Sequence, residues 1–175
     1  MAGCTGKGDV SGWYCLGDAD HAGDRKTRRS CIGYMIFLNN ALIIWFSKKQ
    51  ACVETSVFGS EFCAMKQGME RLAVLRYKLR MMGIPVEVPS FVYGDNLSVI
   101  RNTSRPESML KKKSNSVAYH YCREQVAMGA ALTAHISSGE NVSDLCTKVI
   151  GAGMKRRYLV SKVLHHIYNE MEEKK

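Results

Sequence analysis

The chain has 175 residues, 46% hydrophobic and 23% charged, which fits one globular domain, or one with a tail, and excludes disordered, collagen-like and coiled-coil chains. Lysine and arginine total 25 against 16 aspartates and glutamates, a net charge of +9 that points to a polyanionic partner without fixing which one. No run approaches the roughly 18 apolar residues of a membrane span, so no membrane partner is expected.

Seven cysteines stand at positions 4, 15, 31, 52, 63, 122 and 146. The number is odd and no two form a C-x-x-C pair, which argues against a zinc site or a disulfide framework. Met1 to Lys7 has no apolar core of a signal peptide, and Glu172 to Lys175 has no lipidation box. Reduced thiols in an intracellular compartment are expected.

Residues 1–11 are glycine-rich and polar and read as a flexible leader. Gly12 to Gly17 suits a short strand, and 19–30 a polar turn. Ile32 to Leu38 reads as a strand, Asn39-Asn40 as a two-residue turn, and Leu42 to Ser47 as the antiparallel partner. A long helix follows from Val57 to Met82, with Phe58, Phe62, Met65, Met69, Leu72, Leu75 and Leu79 at three- or four-residue spacing. Thr55 or Ser56 caps its start, and Gly83 with Pro85 closes it. Gly68 within it suggests close packing on a sheet. Phe91 to Asp95 is a fourth strand, 96–102 a brief helix and 103–113 a basic loop. Asn115 to Met128 is helical, and Ala130 to Ile136 is a fifth strand. Helices over 141–149 and from Lys155 to Met171 complete the chain. This order implies an α/β fold, a five-stranded mixed sheet flanked by helices.

Four acids stand out by position. Asp18 ends the first strand, Glu61 lies in the first turn of the long helix, Asp95 ends the fourth strand, and Asp144 opens the helix after the fifth. Separations of 43, 34 and 49 residues hide any relation between them. Yet neighbouring strand ends lie close together in an open sheet. Each acid also has a local reading: Glu61 and Asp144 favour a helix dipole, while Asp18 and Asp95 suit turns or caps. If the four converge, their repulsion calls for hard divalent cations. Two magnesium ions, with manganese as a substitute, would balance four carboxylates and serve phosphodiester cleavage. Without those four acids, 12 acidic residues face 25 basic ones, so an acidic pocket would sit inside a basic shell.

The local sequence then becomes specific. Asp18-Ala19-Asp20-His21-Ala22-Gly23-Asp24, Thr27-Arg28-Arg29-Ser30 and Gly33-Tyr34 resemble the opening of the ribonuclease H domain of Copia-type LTR retrotransposon Pol polyproteins. Five further tracts match that family in order. They are Trp45 to Gln50, Ser60-Glu61-Phe62, Tyr93 to Ser98, Tyr119-His120 with Arg123-Glu124, and Ser143 to Lys148. Departures are His21 for a usual tryptophan, Gly94 for a common cysteine and Ser143 for an alanine.

The resemblance covers about Tyr14 to Ile150. It implies a ribonuclease H-like domain over 12–150, preceded by the leader and followed by a helical extension over 151–175. It also implies metal-dependent endonucleolytic cleavage of the RNA strand of RNA–DNA hybrids during reverse transcription. Asp18, Glu61, Asp95 and Asp144 would be the catalytic metal ligands, with Asp18 bridging both ions. Polymerase and integrase regions of a parent polyprotein would be partners, and the compartment the cytoplasm, in a retrotransposon particle, or the nucleus.

Asn96, Arg101, Arg105, Lys111, Lys112, Lys113, His120 and Arg123 are expected to contact the nucleic acid. Asn96 would do so as a polar neighbour of Asp95, and the bases by holding phosphates. His135, nine residues before Asp144, is either an aid to product release or simply a strand residue. His165-His166 reads as helix surface. Two other readings stand: a catalytically silent nucleic-acid-binding fragment, and a transposase or integrase core. The latter usually uses three acids and lacks the tracts above.

Overall fold

A computed structural model describes residues 12–110 and 113–164. Its strands are β1 (Trp13–Asp20), β2 (Cys31–Leu38), β3 (Ala41–Lys49), β4 (Ser90–Gly94) and β5 (Ala131–His135). Its helices are α1 (Val57–Met81), α2 (Leu97–Ser104), α3 (Ser116–Ala127), α4 (Asp144–Thr147) and α5 (Met154–Val163). The strands form one sheet in the order β3-β2-β1-β4-β5. β1 pairs antiparallel with β2 and parallel with β4, so the sheet is mixed, as expected, and β1 is central.

The β2–β3 hairpin turns at Asn39 and Asn40, both with positive φ, 46° and 68°. Asparagine tolerates this left-handed region, and the turn's twist matches that of the strands it joins. β1 and β2 are apolar on both faces because the sheet is covered on both. On one side Cys15, Ala19, Ile32, Tyr34 and Ile36 pack with Phe62, Met65, Met69 and Leu72 of α1 and Tyr119 and Cys122 of α3. On the other, Leu16, Met35 and Phe37 pack with Val142 and with Leu159 of α5, which is fully buried. Each buried leucine, isoleucine, phenylalanine or methionine among them contributes about 1.5–3 kcal/mol. A Cβ on Gly68 would lie 2.9 Å from the Cys15 sulfur, so α1 rests on the sheet at the closeness that only glycine permits.

Several boundaries differ from the sequence reading. β1 runs to Asp20 because the ladder with β2 continues through Asp18↔Gly33, Ala19↔Ile32 and Asp20↔Cys31. Asp18 therefore lies inside the strand and not at its end. Ser56 caps α1, its side chain accepting from the Gly59 N–H, so Glu61 is in the second helical turn. α2 extends to Ser104, and Asn96 is its cap. The expected helix over 141–149 shrinks to the four residues of α4. The Asn141 side chain instead donates to the Gly17 carbonyl and accepts from Ser143, holding 141–143 as a turn against β1. α5 ends at Val163, where Leu164 is extended. The expected continuation to Met171, His165-His166, the 1–11 leader, Lys111 and Lys112 lie outside the described residues. Among the described residues no helix is long and apolar enough to cross a membrane.

Candidate metal centre

Three of the four singled-out acids converge. Asp18 from β1, Glu61 from α1 and Asp95 just after β4 each offer a carboxylate oxygen, and these atoms lie within 4.8 Å of one another. The parallel pairing of β1 with β4 brings Asp18 and Asp95 to one end of the sheet. Glu61 comes across because α1 packs on β1. Asp18 and Glu61 are buried and Asp95 is half-buried.

The electrostatics are those of a site short of positive charge. Burial, then the neighbouring Asp18 and Asp95, push the Glu61 carboxyl up to about 9, against a weaker pull from Lys148 and a backbone hydrogen bond from Ala19. Burial also raises Asp18, opposed by the Thr147 hydroxyl and by Lys148 and reinforced by Asp144. Clustered oxygen donors with suppressed ionisation suit a hard divalent cation such as magnesium or manganese. The residues present thus fit the expected ion.

Asp144 is near Asp18 but outside the converging set, and has different company. Lys148 Nζ lies 2.7 Å from one Asp144 oxygen and 3.1 Å from Asp18, and Lys155 Nζ lies 2.7 Å from the second Asp144 oxygen. Burial tends to raise the Asp144 carboxyl. Hydrogen bonds from both lysines outweigh it and hold the group below its ordinary value. Asp144 and Lys148 meet because they are four apart on a helical turn. Thr147 donates to the second Asp18 oxygen.

α4 comes this close because position 33, opposite Asp18 in the ladder, is glycine. A Cβ there would meet Cys146 Cβ at 2.6 Å and Thr147 Cγ2 at 2.7 Å. Asp95 is held by Ser138, which donates at 2.8 Å, and the His135 ring lies 3.2 Å from the Asp95 carbonyl oxygen. His135 is thus both the last residue of β5 and a neighbour of the site. His21, in place of the usual tryptophan, faces the Ser60 hydroxyl at 3.3 Å and ties the end of β1 to α1.

The nucleic-acid candidates fall into three groups. Asn96 lines a small cleft with Glu61, Gly17 and Gly94, and its side-chain oxygen caps α2 through the N–H groups of Ser98 and Val99. Arg101, Arg105, Lys113 and His120 are exposed. Arg123 is committed elsewhere. Its guanidinium donates to the carbonyls of Arg105, Pro106 and Ser108 at 2.7–3.1 Å, lies over the Tyr119 ring, and pins the loop between α2 and α3.

Lys155, Ser138 and Asn141 do not stand out in the sequence as site residues. Thr147 and Lys148 appear there as the end of the Ser143 to Lys148 tract, and Lys148 also by its spacing four residues after Asp144, but neither with a role of its own. Lys155 is visible only as a member of a basic stretch.

No family model matches the sequence. Over 142 residues, 81% of its length, the chain is 30% identical to the retrovirus-related Pol polyprotein from transposon RE1 of Arabidopsis thaliana. Over 133 residues, 76% of its length, it is 32% identical to that from transposon TNT 1-94 of Nicotiana tabacum. The chain spans about 10% of the length of these curated relatives.

Among solved structures, RNase H1 from the archaeon Halobacterium salinarum superposes with a TM-score of 0.58 at 11% identity, over 77% of this chain and 93% of that one. LC11-RNase H1, solved in complex with an RNA/DNA hybrid, superposes with a TM-score of 0.61 at 14% identity, over the same shares. Identities this low speak to fold alone. By sequence, then, the chain is a homologue of one stretch of retrovirus-related transposon Pol polyproteins, and its fold is that of ribonuclease H.

Proposed function

We propose that this chain is a divalent-metal-dependent endoribonuclease that cleaves the RNA strand of RNA–DNA hybrids, as part of a retrotransposon's reverse transcription. The observation that carries the reading is the meeting of Asp18, Glu61 and Asp95 within 4.8 Å, at the end of a parallel strand pair in a ribonuclease H fold. Asp18, Glu61 and Asp95 would hold the ion, with Asp144 as the fourth acid. An ion so held supplies Lewis acidity to activate water and steady the leaving oxygen of a phosphodiester.

The chain's own residues set the geometry. Thr147 and Lys148 orient Asp18, and Ser138 orients Asp95. Burial of Asp18 and Glu61 keeps water from competing for their oxygens. Asn96, beside Asp95 and lining the same cleft as Glu61, would meet a sugar hydroxyl. Exposed Arg101, Arg105 and Lys113, with Lys111 and Lys112 beside them in sequence, would hold phosphates. Partners would be the hybrid and the polymerase and integrase regions of a parent polyprotein, in a cytoplasmic particle or the nucleus.

The test is a labelled RNA–DNA duplex incubated with magnesium, with and without chelator, beside duplex RNA and duplex DNA. Cleavage confined to the RNA of the hybrid and abolished by chelator is expected. Asp95→Asn should cost more than the roughly 10–100-fold that loss of an outer-sphere partner costs, with the circular dichroism unchanged. Full activity in that variant would overturn the assignment. The two lysines on Asp144 favour a second reading, a fragment that grips the hybrid without cutting it. Tight binding with no cleavage in magnesium would select that reading.

A further inference from the structure

We propose that Lys148 is a built-in occupant of the second cation position. At rest its ammonium lies between Asp18 and Asp144, so the chain takes up a single divalent ion, at Asp18, Glu61 and Asp95. A second ion binds only when Lys148 swings out. This deepens the metal-dependent reading above and rests on it.

Three observations carry the inference. The ligand atoms that converge belong to three acids, and Asp144 is not among them. Both Asp144 oxygens already face ammonium groups, from Lys148 and Lys155 at 2.7 Å each, and the Lys148 group also reaches Asp18 at 3.1 Å. The charges then match one ion. Four carboxylates less two ammonium groups leave two negative charges, which one divalent cation neutralises. A second cation would meet the Lys148 charge at close range in a poorly solvated place, and like charges exclude each other there. Without Lys148, Asp144, only 1% exposed, would keep Lys155 alone, with one buried carboxylate oxygen left unpaired. The Lys148 side chain is 37% exposed, so it has a path to water when an ion displaces it.

Counting bound Mn2+ by electron paramagnetic resonance on the full chain without nucleic acid tests this directly. The unsubstituted chain should take one ion. Lys148→Met and Lys148→Gln, checked by circular dichroism, should each take two, the second at least about tenfold tighter than any second ion in the parent. Lys148→Arg, which keeps the charge, should stay at one. Two tight ions in the parent, or no gain in Lys148→Met and Lys148→Gln, overturns the proposal. A parent that binds no Mn2+, or whose first ion survives Glu61→Gln, sinks the three-acid site itself and the proposal with it.

A measurement on the unsubstituted chain guards against variants that fail to fold. In proton–nitrogen spectra of the lysine ammonium groups, the Lys148 signal should persist through the first equivalent of Mg2+ and be lost only at a large excess that forces a second ion in. Loss at the first equivalent overturns the proposal.

Discussion

Glu61 shows how one position can be costly for the fold and useful for the site. With its carboxyl at about 9, the folded chain holds a proton that the unfolded chain, near the ordinary glutamate value, gives up. Between those two values the native state binds more protons, so metal-free stability falls as pH rises across that window. Glu61→Gln mimics the protonated group. It should stabilise the metal-free protein at pH 8 by more than about 1 kcal/mol, flatten the decline of its melting temperature with pH, and abolish the gain that divalent ions give the parent. A parent whose metal-free melting temperature rises from pH 6 to pH 8, or a variant that still gains from ions, would contradict this account. Three of the four acids are legible in the sequence as a cluster, because each lies within a few positions of a strand end or helix start, although Asp18 is inside β1 and Glu61 is in the second turn of α1. The partners of Asp144 are not. Lys155 meets it across a loop that carries no periodicity, and Lys148 reaches Asp18 across 130 positions.

Among elements, α4 illustrates what a pattern of residues can and cannot convey. Its acid is legible in the sequence, but its length is not, because the Asn141 side chain supplies hydrogen bonds that a longer helix would have made through its backbone. Its position depends on the bare backbone of β2 at Gly33. Gly33→Ala would put a carbon 2.6 Å from Cys146 Cβ, and overpacking of this kind costs about 1–3 kcal/mol. Chemical denaturation should show that loss, while Mn2+ binding at the three converging acids, none of them on α4, should survive. Loss of both together would mean that α4 supports the whole site. By contrast α1 is legible almost to the residue, since its buried stripe of Phe62, Met65, Met69 and Leu72 follows helical spacing. The Tyr119–Arg123 tract is visible too, but its role as a clamp on the loop before α3 is not, because the carbonyls it binds have no residue identity.

Taken whole, the molecule joins a net charge of +9 to a site that gathers negative charge at one end of its sheet. Hybrid binding should therefore weaken steeply with salt, as counterions displaced from phosphates return. Replacing Arg101, Arg105 and Lys111 to Lys113 with alanine should lower the slope of log affinity against log salt by about 1 for each phosphate no longer held. An unchanged slope would place the nucleic acid on another face. Fold class is readable at this scale because strands, helices and their alternation leave local signatures. The central place of β1 is expected too, but the meeting of Asp18 with both Asp95 and Thr147 comes only from how β4 and α4 are set beside it.

That strand order has a bearing on how the protein comes into being. All five strands lie before residue 136, while the Thr147–Lys148 contact that clasps Asp18 comes afterwards. A nascent chain emerging from the ribosome can close its sheet with Asp18, Glu61 and Asp95 already gathered, before Lys148 has left the exit tunnel. Metal capture during synthesis would thus precede the arrival of its competitor.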